Sequence, residues 1–536
     1  MSQDARKDEE LATERRAQIL GVSYTDTSVS TDKAIFKDIL SIPDLTNLRV
    51  IPMSADESNV LFGITTTTSQ QTMNALKSRF TDQRIAFSLI SESGYREYMR
   101  LYNPPKQIIY EDIALNTAGT DELVHAVSAT LEQVRADDML AYLVLQAHRL
   151  NASDIHVETQ AHDVRIRFRF DGVLHPIAHL SFEKYRILIS AIASAGNVST
   201  SANEAQQGHI AQSVHMADGK TVDVNVRLET VPTINGMDVV MRLFNMDQSM
   251  YTLDRLDLSG QEREIVDEII AKPSGLVLVV GPTGSGKTTT LYSMLNSLNN
   301  EERKIITIED PVEYQFSGIT QISVRSTEGG NDNSFADKLR AVLRLDPDIV
   351  MVGEIRDMDT ARTALQASLT GHLVLSTFHA SSAAAALTRL MEVIGQNPLF
   401  VSAIRLVMAQ RLVRKLDDST KVAYQPDEQQ MALIQRVVDG LPEGVEKPNL
   451  DGLQLYTAGS STENPYGFKG QIAIREQFIM TGAIRQLLER QHTAVISAQE
   501  IEAAAVASGM RTMLQDAMLS VIAGETTLEE IYRVVG

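Results

Sequence analysis

Short, densely apolar runs recur through the middle of this 536-residue chain, separated by longer stretches whose apolar residues return every three or four positions. Leu276-Val-Leu-Val-Val280, Ile305-Ile-Thr-Ile308, Ile349-Val-Met-Val352 and Leu373-Val-Leu-Ser-Thr-Phe378 are four such runs. Runs of that length bounded by glycine or acids predict strands buried on both faces, and the intervening periodicity of about 3.6 predicts helices. Residues 251–415 therefore read as an α/β core with a parallel sheet covered on both sides. Upstream the pattern changes. Residues 122–246 predict helical periodicity over 124–150, then strands at 154–157, 164–170 and 173–174, a helix at 182–193, and two more strands near 222–228 and 239–244. Arg165, Arg167 and Arg169 alternate with apolar residues and fall on one strand face, where a solvated face is the simpler reading.

A smaller α/β module is predicted over 36–102, with strands at 48–51, 60–64 and 85–90 and helices at 70–80 and 92–102. Residues 1–35 are charged and then rich in serine and threonine, predicting a helix and a flexible leader. Residues 103–121 read as a linker. Beyond 416 the chain turns polar and irregular to about 467, gives a strand at 471–474 and ends in helices. The domains expected are thus 1–35, 36–102, 103–121, 122–246, 247–416 and 417–536.

Composition narrows the class. Hydrophobic residues make up 43% and charged residues 22%, as in a globular protein. No apolar run approaches the ~20 residues of a membrane span, and the polar amino terminus carries no secretory pattern, so a cytoplasmic protein is expected. With no cysteine, disulfides, thiol catalysis and cysteine-ligated zinc are excluded. Forty-nine basic against 69 acidic residues give a net charge of −20, which argues against a nucleic-acid motor.

The chemistry centres on Gly281-Pro282-Thr283-Gly284-Ser285-Gly286-Lys287-Thr288, a complete phosphate-loop pattern that follows a predicted strand and opens the helix 289–298. Glycines let backbone N–H groups converge on phosphate oxygens, and a helix N-terminus adds positive potential. Lys287 is expected on the β/γ-phosphates, Thr288 on Mg²⁺, and Thr289 beside them. Three acid- or histidine-bearing segments follow. Glu309 and Glu313 sit after the second apolar run, where a carboxylate could orient and deprotonate water or merely cap a turn. Glu354 ends the third run in a Walker B arrangement, acting on Mg²⁺ through its water shell or on the attacking water. His372 and His379 bracket the fourth run; His379 is the better candidate to sense a γ-phosphate, although a lone histidine is as easily structural.

These four boxes, in this order and spacing, resemble the secretion-ATPase superfamily of type II secretion, type IV pilus assembly and retraction, and type IV secretion. The resemblance extends upstream through Ala152-Ser-Asp-Ile-His-Val-Glu158 and Arg167-Phe-Arg-Phe-Asp-Gly-Val-Leu174. It continues downstream through Ala409-Gln-Arg-Leu-Val-Arg-Lys415, Gly467-Phe-Lys-Gly470 and Gly509-Met-Arg-Thr512. It implies a RecA-like P-loop NTPase core, a PAS-like second N-terminal domain and a mainly helical C-terminal region. It also implies that Arg227 and Arg242 reach the nucleotide phosphates. ATP and Mg²⁺ are the implied cofactors. The implied assembly is a hexameric ring working on an inner-membrane platform protein, associated with the membrane only through partners and without nucleic acid. The module at 36–102 favours the assembly or secretion branch over retraction. The stretch 417–465 lacks the four zinc-binding cysteines of most of that branch, so no zinc is expected, and the segment must be held by packing or be mobile. That departure leans toward the type IVb pilus assembly ATPases; a type II secretion motor is the alternative, with a nucleic-acid translocase or a non-hydrolysing scaffold further off.

Overall fold

The structure, a computed structural model, describes residues 3–28, 33–56, 58–102, 110, 112–113, 120–215, 221–244, 251–324, 334–394, 398–461, 464–489 and 496–535. The chain divides into two compact units, 1–110 and 111–536.

The first unit is a four-stranded sheet with β1 (Ser23–Tyr24), β2 (Val50–Ala55), β3 (Asn59–Ile64) and β4 (Arg84–Leu89) in the order β1-β4-β3-β2. The expected leader is part of this module. Its helix, Gln3–Leu20, packs beside the sheet, and β1 runs parallel to β4. No apolar stripe announced this; buried Glu10 does the tying, accepting hydrogen bonds from the hydroxyls of Tyr24 (2.7 Å), Thr27 (3.0 Å) and Ser91 (2.8 Å). The strand expected at 48–51 starts at Val50, because Ser41 caps a helix over Ile42–Leu48 that ends on Arg49 in the left-handed region (φ 51°). Most of the expected linker, 103–121, lies outside the described residues; its described end is pinned where Ile113 N–H donates to Gln146 Oε1 at 2.9 Å.

The second unit begins with helices Thr120–Gln133 and Met139–Arg149, which with Phe182–Gly196 pack on a six-stranded antiparallel sheet. Its strands are β5 (Asp154–Thr159), β6 (Val164–Phe170), β7 (Val173–Leu180), β8 (Gln206–His215), β9 (Thr221–Thr233) and β10 (Gly236–Phe244), in the order β7-β6-β5-β10-β9-β8. Strand β8 is not legible in the sequence, for it is a polar edge strand whose Ile210 reaches the core almost alone. On β6, Val164, Ile166 and Phe168 are buried, so the arginines share the other face. That face is not simply solvated. Glu158 of β5 pairs with Arg165 and Arg167, and Asp154 with Arg169, as the cross-strand register dictates.

The RecA-like core is a seven-stranded sheet in the order β13-β12-β14-β15-β11-β16-β19. The strands are β11 (Gly275–Val280), β12 (Ile305–Glu309), β13 (Ile319–Ser323), β14 (Ile349–Val352), β15 (Leu373–Phe378) and β16 (Ile404–Leu416), all parallel, with β19 (Phe468–Ile479) antiparallel to β16 at the edge. Every residue of β11, β12, β14 and β15 is buried, as their continuous apolar runs require. Helices on both faces complete two apolar clusters, one of them continuous with the C-terminal helices. Residues 417–467 are not irregular throughout. They hold a two-stranded ribbon, β17 (Val422–Tyr424) with β18 (Leu455–Thr457), and a helix, Glu428–Asp439, closed by an Asp427/Gln430 capping box. Ile434, Val438 and Leu455 join the core, so packing holds the segment. Its ends are clasped by Asn464, whose Nδ2 donates to Asp417 Oδ2 at 2.8 Å and to Phe468 O at 2.9 Å. Among the described residues no helix is long and apolar enough to cross a membrane.

Candidate functional site

In a parallel sheet the ligand side is the carboxyl edge, and β11, β12, β14 and β15 deliver their following loops to one place. There a cleft of about 1000 Å³ opens between the core and the inner strands of the six-stranded sheet, lined by residues 282–289, Glu309, Glu313, Glu354 and His379 from the core and by Asp154, Arg169 and Arg242 from the preceding domain. The phosphate loop runs directly into helix Lys287–Leu298, with Gly284 (φ 77°) and Gly286 (φ 80°) in the left-handed region that other residues resist. Ser285 is buried and braces the loop by donating to Pro282 O at 2.9 Å. Thr288 and Thr289 occupy the first helical turn at the cleft.

Lys287 lies back over the loop, donating from Nζ to Pro282 O (2.7 Å) and Gly281 O (3.0 Å). Burial pushes its ammonium below the usual lysine range, while Glu354 and Glu313 across the cleft pull the other way. A cation spared bulk water and facing two carboxylates is poised to neutralise phosphate charge.

The carboxylates have different settings. Glu309, 3% exposed, accepts hydrogen bonds from Tyr292 OH, from Thr307 Oγ1 and from Gln321 Nε2 at 3.1 Å. Burial still raises its pKa above the ordinary range. The Tyr292 hydroxyl that donates to Glu309 also accepts the backbone N–H of Glu313 at 3.2 Å. Glu309 is thus held by three donors in the cleft wall, and one of them, Tyr292, also touches Glu313. Glu313 is half-buried; burial first and Glu309 second push its pKa up, against the pull of Arg242, Arg227 and Lys287. Glu354 follows β14, ion-paired with Arg356 and 3.6 Å from His379 Nε2.

From the other wall Arg242 points in from β10, its Nε donating to Asp154 Oδ1 at 2.9 Å while Arg169 takes Oδ2 at 3.2 Å. Asp154 is buried, so one carboxylate sets two guanidiniums. Arg227, the cross-strand neighbour of Arg242, pairs with Glu229 at 3.0 Å and opens on an adjoining cavity of about 540 Å³ that shares Glu313 with the main cleft. Of the expected site residues, Arg227 lines this adjoining cavity and not the main cleft, and His372 is brought to neither. It precedes β15, at the opposite end of the sheet, and its Nδ1 lies 3.0 Å from Ala367 O; a residue at each end of a six-residue strand cannot serve one pocket. Tyr292, Thr307, Gln321 and Asp154 were not singled out from the sequence, since nothing in their local pattern separates a supporting hydroxyl or carboxylate from a surface one.

The residues present fit a bound Mg²⁺·nucleotide. Mg²⁺ needs few protein oxygens beside water and phosphate, and Thr288 and Glu354 line the same cleft. Fold and cleft together define a P-loop ATPase. The chain belongs to the type II/IV secretion system protein family, whose model (T2SSE) matches residues 132–533. It is 37% identical over 470 residues to the type II secretion system protein E of Pseudomonas aeruginosa, covering 85% of this chain and 88% of that one. It is 36% identical over 403 residues to the type IV pilus assembly ATPase PilB of Thermus thermophilus, covering 75% of this chain and 43% of that one. In fold it is similar to the solved ATPase DotB of Legionella pneumophila, with a TM-score of 0.53 at 21% identity over 75% of this chain and 96% of that one. The protein is a secretion or pilus-assembly ATPase.

Proposed function

We propose that this ATPase is the motor of type IV pilus assembly, a cytoplasmic hexameric ring that converts ATP hydrolysis into work on an inner-membrane platform protein and so adds pilin subunits to a growing pilus. The observation that carries the motor reading is that one cleft is built by two domains, with Arg242 on one wall and Lys287 on the other, both acting on Glu313. Cations on separate domains that answer the same phosphates make domain position depend on whether the γ-phosphate is present. The module before residue 110 favours assembly or secretion over retraction, and the cysteine-free, packed segment 417–465 leans toward the pilus branch.

In this reading Gly281 to Thr289 bind the phosphates, Lys287, Arg242 and Arg227 take up charge, and Glu313 orients and deprotonates the attacking water. A half-buried carboxylate whose pKa is raised toward the working pH suits that task. Glu354 sits where it would hold a Mg²⁺-bound water, with His379 as its neighbour and reporter of the γ-phosphate. When bound, Mg²⁺ supplies positive charge to the β- and γ-phosphate oxygens. Glu309 acts on Glu313 through Tyr292 rather than on water.

Type II secretion is a second reading, favoured by the match along 88% of the Pseudomonas aeruginosa protein. A host strain deleted for this gene separates the two. Loss of surface pili with secretion intact, restored by the wild-type chain and not by Glu354→Gln, supports pilus assembly; loss of an exported enzyme with pili intact supports secretion. Turnover that rises severalfold on adding single- or double-stranded DNA would overturn both.

A further inference from the structure

One side chain outside the phosphate loop grips it at several points. Gln410 lies on β16, just past the residue that pairs with Val280 at the end of β11, and is 2% exposed. Its Nε2 donates to Ser285 O at 2.6 Å, and its Oε1 accepts from Thr290 Oγ1 at 2.8 Å. One amide therefore holds the middle of the loop and the first turn of the helix after it. The contact is close: a Cβ on Gly281 would lie 2.4 Å from Gln410 O, and one on Gly286 2.8 Å from Gln410 Nε2. The peptide plane gives that grip a consequence. In a trans peptide C=O and N–H point in opposite directions, so pinning the Ser285 carbonyl on Gln410 turns the Gly286 N–H away from the sheet, toward the phosphate side.

What orients the amide is also visible. Arg475, the cross-strand partner of Gln410 on β19, is 2% exposed, and its Nε donates to Gln410 Oε1 at 3.2 Å. A guanidinium only donates, so the amide oxygen must face it and the NH₂ must face Ser285. The rest of the Arg475 head donates to Leu256 O at 2.5 Å and Ala473 O at 3.4 Å. Its backbone N–H donates to Asp516 Oδ2 at 2.8 Å, in the first turn of helix Met513–Ile522. The chain of contacts thus runs from the C-terminal helices through Arg475 and Gln410 into the loop.

We propose that Gln410, its amide oriented by Arg475, is the positioning residue that sets the phosphate loop in its anion-binding conformation, so that nucleotide affinity depends on a residue that touches no nucleotide. The proposal rests on the reading that the loop binds ATP. The decisive variant is Gln410→Glu in the purified full chain. It keeps the size and the bonds from Thr290 and Arg475 and replaces the donor to Ser285 with an acceptor, and the negative charge it adds faces the Arg475 guanidinium. Titration with a fluorescent N-methylanthraniloyl-ADP should give a dissociation constant about tenfold or more above wild type, with the number of sites per folded chain unchanged. A merely structural role lowers the number of sites or the melting temperature and leaves the dissociation constant alone. Thr290→Val, which removes one hydroxyl, should weaken binding about two- to threefold, and it decides the matter by itself if Gln410→Glu does not fold. An unchanged dissociation constant in whichever variant folds overturns the proposal. Failure of the wild-type chain to bind the probe overturns instead the assignment of the loop.

Discussion

Replacing Tyr292 with phenylalanine removes a single oxygen from the core and tests how the acids of the cleft are supported. Tyr292 is fully buried, and its hydroxyl donates to the Glu309 carboxylate while accepting the Glu313 N–H at 3.2 Å. A hydrogen bond to a charged acceptor contributes about 1.5–3 kcal/mol; because Thr307 and Gln321 still donate to Glu309, the lower end applies. The half-buried Glu313 N–H, left with no acceptor, adds about 0.5–1 kcal/mol, for a total near 2 kcal/mol. The sign with pH follows from Glu309. Burial holds its folded pKa above the unfolded value, so its ionised form is the disfavoured one and the tyrosine donor matters most to that form. The Glu309 share of the deficit is therefore full above the raised pKa and shrinks as pH falls through it, while the Glu313 share stays. Calorimetric unfolding between about pH 5 and 8 measures this. Turnover carries the second half of the test. With the Glu313 backbone released, kcat should fall by between about tenfold and a hundredfold, the cost of misplacing a reacting group by about an ångström, with KM for ATP nearly unchanged. Equal destabilisation at every pH would refute the role of ionised Glu309, and a wild-type kcat would refute the relay to Glu313.

Glu354→Gln should leave nucleotide binding intact and cut phosphate release by about a hundredfold or more, read by a coupled phosphate assay; Lys287→Ala should weaken binding itself. The acidic limb of kcat/KM should lie above the ordinary carboxylate range, because Glu313 must be ionised to take a proton and its pKa is raised. Arg242→Gln removes a cation that favours the ionised form, so the limb should move to higher pH; movement to lower pH would be incompatible with the assignment. Asn464→Ala breaks the clasp on Asp417 and Phe468 and should destabilise the 417–467 segment by about 1–3 kcal/mol, seen as faster proteolysis there, whereas a metal chelator should leave that segment unchanged.

The parallel core, the phosphate loop and the order of the four boxes are legible in the residues because each is local. A strand buried on both faces must be continuously apolar, and a phosphate loop must place glycine where the backbone enters the left-handed region. The helix over Glu428–Asp439 was equally open to reading, with Asp427 and Gln430 spaced as a capping box ahead of an apolar stripe. What the linear order could not decide is which polar groups share a pocket. His372 and His379 bracket the same short strand, and only the direction of β15 separates the one on the nucleotide side from the one at the far edge. Asp154, Arg242, Tyr292, Gln410 and Arg475 act through partners up to 219 residues away in the chain, as with Arg475 and Leu256. Their roles come from strand register and burial, because the energy of a polar group depends on its neighbours and its distance from water, and neither is a property of its own stretch of sequence.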